Sequence, residues 1–329
     1  MTTSLRILSG RQIRQAITMV DIIDAMERAF IELSTGHPAM PIRSHITVPE
    51  PPGTALFMPS YMEFTRMIGV KTVTLFDHNR QNNIPFIQGM VCLFDGRNGT
   101  PKAVLDGTTI TALRTGAASG LATRLLARNN SASCTIFGAG VQGRTQLEAV
   151  AAVRDIDEYC IYDANIVAAR NFAEEMAEQM GITIRVAASS QEAIAKADIV
   201  CCATISETPI FNNDDLAGGA HVNAVGSYKP HVQEVPAEMV LRSRLFVDHR
   251  ESALEETGDL IIPIEQGVIT KQHIVAEIGE VAAGIAPGRQ TIDEITFFKS
   301  VGVAVQDLAA AAIILQKAEE HDIGTLVDF

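Results

Sequence analysis

Tryptophan is absent from the 329 residues, and the aromatic share is only 5%. Platforms on which bases stack are therefore not expected. Positive charge is scarce as well. The chain has 26 lysines and arginines against 39 aspartates and glutamates, a formal net charge of −13. No basic cluster occurs, which excludes nucleic acid and anionic membrane surfaces as expected partners. The longest strongly apolar run, Leu308 to Leu315, is about eight residues, far short of the ~20 that span a bilayer. The N-terminal stretch MTTSLRILSGRQIRQ has no apolar core of signal-peptide length, so a cytoplasmic protein is expected. Cys92, Cys134, Cys160, Cys201 and Cys202 lie in apolar, strand-like runs without C-x-x-C spacing. They read as reduced, buried thiols. The eight histidines are scattered without ligand spacing, and no metal is expected.

Against this background one stretch stands out, SCTIFGAGVQGRTQLEAVAAV from Ser133 to Val153. Four β-prone residues lead into Gly138, Ala139, Gly140 and then Gly143, a G-x-G-x-x-G turn that opens a helix. Gly138 permits the sharp turn, Gly140 lets the backbone approach a pyrophosphate, and Gly143 lets helix and strand pack closely. The free amides of the first helical turn then bind phosphate. The next strand, EYCIYD, ends in Asp163, about twenty residues beyond Gly143, the spacing of a carboxylate that binds the adenosine ribose. Such a carboxylate repels a 2′-phosphate. NAD(H) is expected, with NADP(H) kept as the second choice because one nearby cation blunts that repulsion. A helix cap before 165–180 is the competing role for Asp163, and the spacing favours the cofactor.

Residues 11–35 read as one amphipathic helix, stopped by Gly36, His37 and Pro38. From Pro41 to Leu105 the pattern changes to short strands: PIRSHITV, TALFMPSYM, MIGVKTVTLF, GMVCLFD and KAVLD. A period of two places Lys71 on the face of Val73 and Leu75. A lysine there needs a partner or ligand, or sits at a sheet margin with its amine in water. Arg43 shares a strand face with His45 and Thr47, which a solvated face also explains. A helix is expected over 108–127, capped by Thr108 or Thr109. It carries Arg114 on the stripe of Ile110, Ala117, Leu121 and Leu125. That position suits a guanidinium gripping a carboxylate or a buried ion pair. Strands near 134–137, 158–162, 183–187, 198–203, 220–225 and 244–248 alternate with helices, which predicts an α/β fold with a doubly wound parallel sheet. Ligands belong at the carboxyl ends of its strands, where Thr204, Val225, Gly226 and Ser227 lie. Residues 251–289 read as short helices, 295–298 as a strand, and a last helix runs to about Glu320.

Together, PIRSHITVP, ALFMPSYM, GVKTV, DGTTITALRTGAASGLA, IFGAGVQGRTQ, NAVGSYKPHVQEV and FKSVGVAVQDL resemble the ornithine cyclodeaminase/μ-crystallin family. The resemblance implies a Rossmann-type nucleotide domain, 113–303, inserted into a β-rich substrate and dimerisation domain formed by 1–112 with 304–329. It also implies a homodimer. Residues matching Arg43, Lys71 and Arg114 bind the substrate carboxylate in the family, with Lys71 and Arg114 taken as catalytic. Val141, Gln142, Asp163, Thr204 and Ser300 match dinucleotide contacts, with Ser300 and Val301 near the nicotinamide and Val301 also taken as substrate-binding.

Two departures are informative. Where cyclodeaminases carry a glutamate, two residues before Met-Pro, this chain has Leu56. Where they carry an aspartate after Val-Gly, it has Tyr228, or Ser227 if the alignment slips by one. Leucine has no acid–base chemistry, and tyrosine stays protonated near neutral pH. The expected activity is therefore reduction of a cyclic imino acid, Δ1-pyrroline-2-carboxylate or Δ1-piperideine-2-carboxylate, by hydride transfer to C2. Ornithine cyclodeamination, a linear amino-acid dehydrogenase such as one for alanine, and a non-enzymatic binding protein are the alternatives.

Overall fold

Two compact units make up the chain, one formed by 1–114 with 303–329 and the other by 115–302. The computed structural model describes residues 4–36, 38–41, 43–82 and 84–329. His37, in the expected helix stop, and Ile42, in the first expected strand, lie outside them.

In the first unit, β1 (Ser4–Leu8), α1 (Gly10–Ala16) and α2 (Met19–Ser34) precede an antiparallel run of β2 (Ser44–Val48), β3 (Gly53–Met62), β4 (Met67–Leu75), β5 (Ile87–Asp95) and β6 (Pro101–Asp106). α3 (Gly107–Leu126) begins in this unit. The single helix expected over 11–35 is two helices. Ser9 caps α1 through Gln12, and Thr18 caps α2 through Asp21. Both are capping boxes, S-x-x-Q and T-x-x-D, and the second starts a new helix within the expected one. Nor do Thr108 and Thr109 cap α3. Asp106 Oδ1 accepts from the Thr109 amide at 2.7 Å.

The second unit runs β7 (Ser133–Phe137), α4 (Val141–Ala151), β8 (Glu158–Tyr162), α5 (Ile166–Met180), β9 (Ile184–Val186), α6 (Ser190–Ile194), β10 (Ile199–Cys202), β11 (His221–Ala224), α7 (Ala237–Arg242), β12 (Ser243–Val247), α8 (Arg250–Glu256), α9 (Gly258–Glu265), β13 (Ile274–Glu277), α10 (Ile278–Ala282) and β14 (Ile295–Lys299). The chain then returns to the first unit with α11 (Ala304–Glu320) and β15 (Thr325–Asp328).

Among the described residues the first unit holds a seven-stranded sheet in the order β15-β1-β6-β5-β4-β3-β2. Its terminal strands β1 and β15 and the parallel β1–β6 pair were not expected from the sequence. α11 lies on the face that carries Ser60, Gly69 and Lys71. Ser60 Oγ donates to Ala304 O, and a Cβ at Gly69 would stand 2.8 Å from Leu308 Cδ1. Gly69 thus lets the helix close on the sheet. Ile22, Ile23, Met26 and Phe30 of α2 are fully buried, each contributing about 1.5–3 kcal/mol of transfer free energy.

The second unit is an α/β fold around an eight-stranded sheet, β13-β12-β14-β11-β10-β7-β8-β9, in which every strand pair is parallel. β13 falls where short helices alone were expected, because four residues at a sheet edge carry little periodicity. β10, Ile-Val-Cys-Cys, is buried along its length, as a strand covered on both faces must be. All five cysteines are free thiols. Burial raises the Cys202 thiol well above its ordinary range, which keeps it unreactive. Among the described residues no helix is long and apolar enough to cross a membrane.

Candidate active site

The first unit assembles its buried charges from three distant stretches. Lys71 stands mid-strand on β4, between Met58 of β3 and Val91 of β5. Its ammonium is 2.6 Å from Asp307 Oδ2 on α11. Arg114 on α3 donates from Nε to Asp307 Oδ1 at 3.2 Å and from Nη1 to Gln306 Oε1 at 2.6 Å. Lys71 is 4% exposed, Arg114 7% and Asp307 1%. Lys71 therefore does not sit at a sheet margin with its amine in water. Arg43 lies one residue before β2 rather than on a strand face.

Electrostatics make this cluster unusual. Burial lowers Lys71 to about 8. The Asp307 carboxylate opposes that shift, and the charges of Arg114 and Arg43 add to it. Asp307 is shared by two buried cations, so positive charge is left over in a dry place. Such charge is costly unless an anion joins it. The buried Gln306 Nε2 has no acceptor among the described residues. Cations and a spare donor together suit a carboxylate ligand. Asp307 and Gln306 were missed in the sequence, although an acid within the apolar run 304–315 is the same cue that marked Arg114.

In the second unit the glycine turn is formed as its spacing requires. Gly138 has φ +103°, and a Cβ there would press on the Ala203 carbonyl. A Cβ on Gly143 would collide with Gly138 O, whereas one on Gly140 meets nothing within 4 Å. Gly140 is the N-cap of α4 and makes no side-chain cap bond. Val141 is 61% exposed, and the first-turn amides of a helix have no intrahelical acceptor. Gln142 Oε1 is buried without a partner among the described residues. Asp163 Oδ2 accepts from the Ala139 amide and Oδ1 from the Asn165 amide, both at 2.8 Å. The cap of α5 is Asn165, not Asp163. Each Asp163 oxygen keeps lone-pair capacity for a sugar hydroxyl. An open, glycine-lined helix N-terminus followed by this carboxylate fits a dinucleotide.

The other expected contacts lie at the carboxyl ends of strands: Thr204 after β10, Val225 after β11, Ser300 and Val301 after β14. Asp248, buried just past β12, holds the last of these. Its Oδ2 accepts from Ser300 Oγ (2.7 Å) and from the amides of Val301 (3.0 Å) and Gly302 (2.8 Å). The sequence signal was available here too, since Asp248 ends an apolar strand as Asp163 does. Neither departure brings back a carboxylate. Leu56 lies on β3 opposite His45 and Val73. Ser227 is buried, donates to Val232 O and bonds with Thr257. Tyr228 is half exposed beside Lys229.

The chain matches the model of the ornithine cyclodeaminase/mu-crystallin family over residues 5–322. It is 38% identical over 324 residues to a Δ1-pyrroline-2-carboxylate reductase of Bacillus cereus, covering 98% of this chain and 99% of that protein. The structure of Thermococcus litoralis Δ1-pyrroline-2-carboxylate reductase in complex with NADH and L-proline superimposes with a TM-score of 0.92. It shares 43% identity and covers 97% of this chain and 99% of that one. An archaeal alanine dehydrogenase dimer with bound NAD gives a TM-score of 0.91 at 31% identity, covering 99% and 100%.

Proposed function

Because the chain belongs to the ornithine cyclodeaminase/mu-crystallin family, we propose that it reduces a cyclic imino acid to the cyclic amino acid, Δ1-pyrroline-2-carboxylate to proline or Δ1-piperideine-2-carboxylate to pipecolate. The observation that carries this reading is the buried Lys71–Asp307–Arg114 cluster with no carboxylate at position 56 or 228. Arg114, Arg43 and Lys71 fix the substrate carboxylate, and that positioning carries a large part of the rate. A bound reduced nicotinamide supplies the hydride that adds to C2. When the imine arrives unprotonated, the Lys71 ammonium gives its proton to the ring nitrogen. A value of about 8 suits a group that must donate near neutral pH. Asp307 holds the ammonium in place and stabilises its charged form. Among the residues of the second unit, Gly138, Ala139, Gly140, Val141 and Gln142 hold the pyrophosphate. Thr204, Val225, Ser300 and Val301 serve the nicotinamide end.

Reductive activity is tested by following NADH absorbance with each imine and with ornithine plus NAD⁺. Imine-dependent oxidation supports the reading. Proline formed from ornithine without net cofactor change overturns it in favour of cyclodeamination.

Asp163 sets the cofactor in favour of NAD(H). Asp163→Ser is expected to raise the ratio of kcat/KM for NADPH over NADH by about ten- to a hundredfold, as removal of one like-charge repulsion worth about 1.4–2.8 kcal/mol does. Steady-state rates with both cofactors check it.

The sheet face opposite α11 carries Ile46, Phe57, Val70 and Met90, with Ile46 57% and Met90 50% exposed. A homodimer that covers this face accounts for it, and the archaeal alanine dehydrogenase relative is a dimer. Met90→Asp is expected to shift the species measured by light scattering from dimer to monomer. Five free thiols agree with a reducing, cytoplasmic setting.

A further inference from the structure

One buried carboxylate of the second unit is used by none of these roles. Glu234 is 0% exposed and lies in the loop between β11 and α7. Its Oε1 accepts from the Thr204 amide at 2.6 Å and from Thr204 Oγ1 at 2.7 Å, and its Oε2 accepts from the Gly226 amide at 2.9 Å. One side chain therefore ties together the carboxyl ends of two neighbouring strands, β10 and β11. Gly226 packs directly on it, since a Cβ there would stand 2.6 Å from Glu234 Oε2.

Glu234 is itself held from behind. Its amide donates to Asp259 Oδ1 at 2.6 Å, and Asp259 Oδ2 accepts from Lys299 Nζ at 2.8 Å. Lys299 ends β14, the other neighbour of β11. Three adjacent strand ends thus share one buried network. The titratable groups facing Glu234 are Asp259 on α9, Lys299 on β14 and the Cys202 thiol on β10.

We propose that Glu234 is a positioning residue for the dinucleotide, its ionised carboxylate fixing Thr204 and Gly226 in the conformation that the cofactor requires. The inference rests on the dinucleotide reading of the second unit. All three of its hydrogen bonds are accepted, a pattern that the carboxylate, with acceptors only, serves best. A proton on Oε2 would confront the Gly226 amide, and one on Oε1 would turn Thr204 Oγ1 from donor to acceptor, so either protonated form weakens or rearranges the tie to one strand end. Burial pushes Glu234 up to about 7, with the Asp259 charge adding and Lys299 opposing. A carboxyl at that value changes state in the neutral range.

The sign follows from linkage. Between about pH 4.5 and 7 the folded chain holds a proton that the unfolded chain has lost, so ionising Glu234 costs stability. A residue kept only for stability would be better neutral. A cofactor that favours the ionised form releases that proton as it binds.

The test is calorimetric titration of the full-length protein with NADH from pH 5.5 to 8.5, in buffers of different ionisation enthalpy, for wild type and Glu234→Gln. The wild-type Kd is expected to weaken about tenfold or more below a midpoint near pH 7, the worth of one charge-assisted hydrogen bond. Proton release is expected around that midpoint. E234Q is expected to bind weakly at every pH and to release no proton. Equal binding and equal release in E234Q overturn the inference. Should E234Q fail to fold, the wild-type titration decides alone, and pH-indifferent binding without proton release overturns it. A wild type that binds neither NADH nor NADPH overturns the dinucleotide reading itself, whereas tight, pH-indifferent binding overturns only the role of Glu234.

Discussion

Lys71→Met is expected to leave NADH binding intact and to lower kcat for imine reduction by about 10²–10⁴-fold, the usual worth of a positioned general acid. Methionine fills the volume of the stem, so the sheet face keeps its packing. It cannot give a proton, and it removes one cation from the carboxylate site, so KM rises as well. The pH profile carries the same signature. Lys71 is lowered to about 8, with burial the first cause. Reductive kcat/KM is expected to be flat below that value and to fall about tenfold per unit above it, while oxidation of the cyclic amino acid gains over the same range. The lowered value also has a stability consequence. From about pH 8 to 10.5 the unfolded chain holds the proton that the folded chain has lost. Unliganded protein should therefore gain about 3 kcal/mol as pH rises through that window. Measured rates on K71M across pH, beside wild type, check the assignment. A variant with wild-type kcat and an unchanged profile would remove Lys71 from the chemistry.

Asp307→Asn should be the most destabilising single change in the first unit, costing about 3–5 kcal/mol as loss of one partner from a buried ion pair does. Asp307 accepts from both Lys71 and Arg114. Without it two cations face each other in a place where each is less than a tenth exposed. The lower end of that range applies because Lys71 can shed its proton. A carboxylate ligand should offset the loss. L-Proline is expected to raise the thermal midpoint of D307N by more than it raises that of wild type, because it returns the missing anion. Calorimetric melting with and without proline reads this out. Equal shifts in both proteins would mean that the ligand carboxylate does not join the cluster.

Parts of this site were legible in the sequence. Lys71 and Arg114 stood out because a charge on an apolar strand face or helix stripe is rare and must be answered, but the residues alone left a sheet margin and an ion pair open, and only the family resemblance gave them a role. The glycine turn declared itself because each glycine has a separate steric duty, now visible at Gly138 and Gly143. What answers Lys71 and Arg114 could not be read, because Asp307 arrives from a helix near the other end of the chain and only tertiary packing brings it there. Glu234 was invisible for a related reason. Two of its three partners are backbone amides, which leave no mark on residue identity. Among the elements, β1 and β15 escaped because strands of four or five residues, β15 at the sheet edge and β1 next to it, offer too few positions for a period to show. The break between α1 and α2 was written in the sequence as a capping box, Thr18 with Asp21. A continuous apolar stripe across the break outweighed it, since two helices that pack on one core share one stripe.

Transfer of label from the cofactor tests the account most directly. The protein would be incubated with Δ1-pyrroline-2-carboxylate and NADH carrying deuterium on both C4 positions, and the proline formed read by NMR and mass spectrometry. Reduction at C2 predicts proline with one deuterium, at C2 alone, formed without added ammonia and in step with NADH consumed. Unlabelled proline, no proline, or label reaching product only from pyruvate and ammonia would contradict it.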